Sequence, residues 1–131
     1  MANPSRVPES PAPTAIPLRL VIVLNSLPTE QPQAMSVPLR YAATAASMDV
    51  AVEVHAVSRT VALLSRSACT SELLMQVRQA VEEGVQFFAC PLAMVEQGLS
   101  EADLIEEVSG VRGAASLLVA GLQPGARFMV F

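Results

Sequence analysis

Short, continuously apolar stretches alternate along the chain with longer ones whose apolar residues recur every three or four positions. Residues 18–24 (LRLVIVL) are apolar except at Arg19, the pattern of a strand buried on both faces of a sheet. Residues 25–33 hold Pro28 and Pro32 and predict a loop. Ser36 is then expected to cap a helix running to about Met48, with Val37 and Pro38 in its first turn, where the missing N–H of proline costs little. Residues 49–57 (DVAVEVHAV) read as a second strand. A run at 60–64 and a polar loop at 65–69 follow; Thr70 or Ser71 caps a helix that carries Glu72 at its positive end and stops at Gly84.

The same alternation continues to the carboxyl terminus. Residues 85–90 (VQFFAC) predict a third strand and 91–97 a short helix closed by Gly98. Ser100 with Asp103 predicts a capping pair for a helix reaching about Ser109. A short strand at 108–112, a helix at 114–121 and a last strand at 127–131 complete the pattern. Strands alternating with helices imply right-handed crossovers, so the expected fold is a three-layer α/β/α sandwich on a parallel sheet of about five strands. Residues 1–17 contain Pro4, Pro8, Pro11, Pro13 and Pro17 with no hydrophobic period and are expected to form a disordered tail, leaving 18–131 as one domain.

Composition narrows the function. All 8 basic residues are arginines, scattered without a stripe, and the net charge is −4. Nucleic acid is therefore not an expected partner, and lysine chemistry, whether Schiff base or phosphate loop, is excluded. The apolar runs fall short of the ~18–20 residues that cross a bilayer, so no membrane partner is expected. With 52 % hydrophobic residues in a chain of 131, apolar surface remains to be covered, which predicts a homo-oligomer. Two cysteines and no apolar amino-terminal signal suit a reduced, cytoplasmic setting. One histidine and two cysteines 21 positions apart fit no zinc spacing, so no metal is expected, and no Gly-x-Gly-x-x-Gly or Walker motif calls for a nucleotide cofactor.

Parallel α/β sheets gather their chemistry at the carboxyl ends of the strands, which here brings in Asn25, Ser26, Ser58, Arg59 and Cys90. Cys90 precedes Pro91 and should stand at the N-cap of the next helix, where free N–H groups and the helix dipole favour a nucleophilic thiolate. A free cysteine used as a small hydrophobe fits the same position. Cys69 is expected at the same end of the domain, since a helix descending ~20 Å and a strand returning ~18–20 Å separate the two. It is an accessory candidate, as resolving or accepting thiol, or an incidental loop cysteine. His55 reads more simply as structural than catalytic, and Arg59 and Arg66 as solvated residues that would also suit an anionic sulfur species.

The segments LRLVIVL, RYAATAASMDVAVEVHAV and EEGVQFFACPLAMVEQGLSEADLIEEVSGVRGAASLL together resemble the DsrE/DsrF-like family of small α/β proteins. The matching positions are Gly84 and Val85 before the strand, Cys90 at its end, Met94, Gly98 with Leu99, and residues 101–105. The resemblance implies a sulfur-relay role in which Cys90 carries sulfane sulfur as a persulfide without a cofactor. It also implies a trimer or hexamer, and exchange with TusA-like or rhodanese-like carriers. A non-catalytic oligomeric binding module and a thiol redox sensor are the competing readings.

Overall fold

The computed structural model describes residues 18–131; the predicted tail lies outside them. Five strands form one parallel sheet: β1 (Arg19–Leu24), β2 (Ala51–Ala56), β3 (Gln86–Ala89), β4 (Val108–Val111) and β5 (Ala126–Val130), in the order β4-β3-β2-β1-β5. The helices are α1 (Ser36–Ser47), α2 (Ser71–Glu82), α3 (Pro91–Glu96) and α4 (Ala114–Gly121). From β1 to β4 each crossover steps the same way across the sheet; the connection through α4 then jumps back to place β5 beside β1. Right-handed crossovers that reverse direction put α4 on the opposite face from α1 and α2. The expected α/β sandwich is therefore the observed fold.

The two faces differ in chemistry. Alternate residues Ile22, Leu24, Val52, Val54, Ala56, Phe87 and Ala89 form an apolar core with Leu39 and Ala42 of α1 and Leu73 and Val77 of α2. The register that aligns Val23 with His55 and His55 with Phe88 sends Arg19, Val21, Glu53, His55 and Phe88 to the other face, under α4.

Local signals explain most boundaries. Thr70 caps α2 by accepting from the Leu73 N–H at 3.2 Å, and Gly84 leaves it at φ 104°, a conformation that suits a residue without Cβ. Gly98, at φ 68°, closes α3 in the same way.

Two expectations fail. Ser36 is not the cap of α1: the helix grows out of a 3₁₀ turn, Pro32–Met35, so Ser36 is already inside it. The helix expected from Ser100 to about Ser109 is only a 3₁₀ turn, Glu101–Asp103. Its capping box forms, with the Ser100 N–H donating to Asp103 at 2.8 Å. Leu104 and Ile105 then become buried, and the chain runs extended against the segment after the run at 60–64, through Ile105 N–H to the Leu64 carbonyl at 2.9 Å and Arg66 N–H to the Asp103 carbonyl at 2.7 Å. Burial of two large apolar side chains outweighs the few tenths of a kcal/mol per residue of helix propensity.

Candidate functional site

The carboxyl edge of the sheet presents, in spatial order, Arg112 after β4, Cys90 after β3, Ser58 beyond β2, Asn25 after β1 and Phe131 after β5. Cys90 is half-buried. Its N–H donates to the Ala56 carbonyl at 3.0 Å and its carbonyl accepts from the Met94 N–H at 3.0 Å, the first turn of α3. The backbone thus occupies the N-cap position, with Pro91 in the first turn as expected. The sulfur makes no capping hydrogen bond; the side chain packs against the apolar core instead. Proximity to the helix start therefore comes without the direct N–H···S contact that the sequence predicts.

Ser58, one strand over, has φ 53°, a left-handed conformation that is uncommon outside glycine. It starts a 3₁₀ helix, Ser58–Leu64, that buries Thr60, Val61, Leu63 and Leu64 and packs against α3. The Thr60 hydroxyl is buried with no hydrogen-bond partner among the described residues. Arg59 is exposed. The N–H groups of Asn25 and Ser26 both donate to the Phe131 carbonyl, at 2.6 and 3.0 Å, which draws these residues toward β5. They stand two strand spacings, about 10 Å, from Cys90, with Ser58 between.

Cys69 has different surroundings from Cys90. Burial pushes its thiol above its ordinary pKa; the Glu107 carboxylate adds to this and Arg78 opposes it. Glu107 directly precedes β4 and accepts a 2.8 Å hydrogen bond from Arg78. The groups acting on Cys69 thus come from the amino end of β4, where Glu107 stands, and from Arg78 of α2. Arg66 is spent on the Leu104 carbonyl, to which its Nε donates at 3.0 Å.

Sequence reasoning missed a polar cluster on the α4 face. Glu53, 2 % exposed, accepts from Arg19 at 2.8 Å and from Arg112 at 3.1 Å. The Arg112 guanidinium lies 4.1 Å from the centre of the Phe88 ring. His55 stands 4.0 Å from Glu53, tilted against Phe88, with neither ring nitrogen partnered among the described residues. Burial lowers its pKa, Glu53 raises it and Arg112 lowers it. The signal was present: an acid inside the otherwise apolar run VAVEVHA must be neutralised by partners from elsewhere. No group of three or more His, Cys, Asp or Glu side chains suited to a metal gathers among the described residues, and no helix among them is long and apolar enough to cross a membrane.

Solved structures share this architecture. A protein of unknown function from Methanobacterium thermoautotrophicum, MTH1491, superposes with TM-score 0.68 at 24 % identity, covering 87 % of this chain and 99 % of its own. The ychN protein from E. coli gives TM-score 0.72 at 18 % identity over 87 % and 99 % of the two chains. Protein BT1422 from Bacteroides thetaiotaomicron, also of unknown function, gives 0.67 at 13 % over 86 % and 94 %. No curated protein sequence matches. The sequence profile of one family spans residues 19–131, the whole sheet with all its helices, and by that match the chain belongs to the DsrE/DsrF-like family.

Proposed function

We propose that the protein is a sulfur carrier that holds sulfane sulfur as a persulfide on Cys90. The observation that supports this most directly is the half-buried cysteine at the carboxyl end of β3, beside a strained Ser58, in a chain of the DsrE/DsrF-like family. The Cys90 thiolate attacks the outer sulfur of a donor persulfide and displaces the donor thiolate, giving Cys90–S–SH. An acceptor thiolate then attacks that outer sulfur and Cys90 leaves as thiolate. No electrons are gained or lost overall, so neither a metal nor an organic cofactor is required. TusA-like or rhodanese-like proteins suit the roles of donor and acceptor, in the cytoplasm.

Assembly into a homo-oligomer, trimer or hexamer, belongs to the same proposal. Leu118 and Leu122, in and just after α4, with Phe128 and Val130 on the edge strand β5, leave a wide apolar surface exposed. Sedimentation at micromolar concentration reads the state directly, and a monomer refutes the assembly.

Mass spectrometry after incubation with thiosulfate or a persulfide donor tests the chemistry. The unmodified protein and Cys69→Ser should gain one sulfur atom, and Cys90→Ser should gain none while remaining folded. Loading that survives Cys90→Ser overturns the carrier reading and leaves the binding module in its place. A Cys69–Cys90 disulfide in place of sulfur loading favours the redox sensor.

A further inference from the structure

A cavity of about 450 Å³ opens on the α4 face of the sheet, and Cys90 does not line it. Its sheet wall carries Arg19, Glu53 and Arg112; its helix wall carries Ser116, Val119 and Ala120. The Glu53 side chain is 3 % exposed, while those of Arg19 and Arg112 are 37 % and 46 % exposed. The carboxylate is thus the buried anchor and the guanidiniums the accessible surface.

The charge in this cavity does not balance. One carboxylate faces two guanidiniums, a formal excess of one positive charge. His55, behind Glu53, adds none at neutral pH, because burial holds its pKa low. Among the described residues each guanidinium gives Glu53 a single Nη1 hydrogen bond, and the other N–H groups of each fork are free there to meet a ligand. Phe88 under Arg112 and the carboxylate between the two arginines hold both forks in place, which lowers the entropy cost of closing them on a ligand. Surplus fixed charge beside low-dielectric walls attracts an anion more strongly than the same charge in open water. The apolar side of the cavity, Val119 and Ala120, leaves room for more than an inorganic ion.

We infer that this cavity is a binding site for a small organic anion, whose carboxylate or similar oxyanion head meets Arg19 and Arg112 and whose apolar body lies against α4. The site does not depend on the role of Cys90. Glu53 tunes it: the buried acid orients the two arginines and at the same time weakens the anion's attraction.

Calorimetric titration of the full chain with benzoate, and with benzamide as its neutral counterpart of the same shape, tests the inference. Benzoate should bind at least about tenfold more tightly than benzamide, the factor expected from charge-assisted hydrogen bonds. Arg112→Gln and Arg19→Gln, both at partly exposed positions, should each weaken benzoate by a similar factor. Glu53→Gln should tighten it, whereas an ion-pair network that serves only the fold predicts no gain. Equal binding of benzoate and benzamide, an absence of binding heat for either, or an affinity unchanged in both arginine variants overturns the assignment.

Discussion

Arg112 and Glu53 lie 59 positions apart in the sequence and are joined by a 3.1 Å ion pair that crosses β3 over the face of Phe88. The pair ties the end of β4 to the middle of β2, and Arg19 extends the tie to β1. Stability should depend on its members unequally. Glu53→Gln leaves two guanidiniums without their anion, but both are partly exposed and can be rehydrated. A loss of about 1–3 kcal/mol is expected, below the range for a fully buried pair. Arg112→Gln leaves Arg19 to neutralise Glu53 and should cost about 1 kcal/mol, mostly from the ring contact. Urea unfolding of the two variants checks the order.

His55 makes stability depend on pH in a defined direction. Its folded pKa is lowered, burial being the main cause. The unfolded chain therefore binds the proton first as pH falls. The histidine's contribution should be constant above about pH 7 and should decline as pH drops through about 6.5 toward the lower folded pKa. The lowered pKa values of Asp103 and Glu107 act only in the more acidic carboxylate range. Urea midpoints between pH 7.5 and 5.5 isolate the histidine, and His55→Gln should remove the slope. An unchanged slope in that variant rules out His55 as its source.

Cys69 should be a slow thiol. Burial and Glu107 both disfavour its thiolate, so alkylation by iodoacetamide at neutral pH should lag behind that of an unstructured peptide thiol. Glu107→Gln removes the second of these causes and should speed the reaction. Peptide mapping after timed alkylation follows Cys69 separately from Cys90, and a rate unchanged by Glu107→Gln contradicts the electrostatic part.

The ring of Phe128 occupies the space where a Cβ on Gly121 would stand. Gly121→Ala must push that ring outward, and since Phe128 is already 40 % exposed the backbone need not follow. A loss of about 1–3 kcal/mol is expected, the usual cost of overpacking. Phe128→Leu in the Gly121→Ala background should recover part of it. A double variant no more stable than Gly121→Ala alone shows that the cost lies in the backbone.

Local rules made much of this protein legible. LRLVIVL and VAVEVHA are strands because a sheet buried on both faces demands apolar runs. Thr70 caps α2 because its hydroxyl reaches an N–H three residues on, and Pro91 opens α3 because its missing donor is not needed there. Each of these involves neighbours within a turn or a pleat, and the residues that decide it are contiguous.

What depended on strand order was hidden. The capping box at Ser100 formed as the sequence implied, yet its helix did not follow, because Leu104 and Ile105 found a buried place beside Leu64 that no local pattern announces. The sulfur of Cys90 turned to the core and not to its cap, a choice between two environments that only packing makes. Sequence alone showed that Glu53 and His55 lie in an apolar strand; that they share a face with Arg19, Phe88 and Arg112 follows from β1 and β3 flanking β2. Period and caps are set by residues a few positions apart. The pairing of a buried charge is set by whichever strand the sheet places beside it.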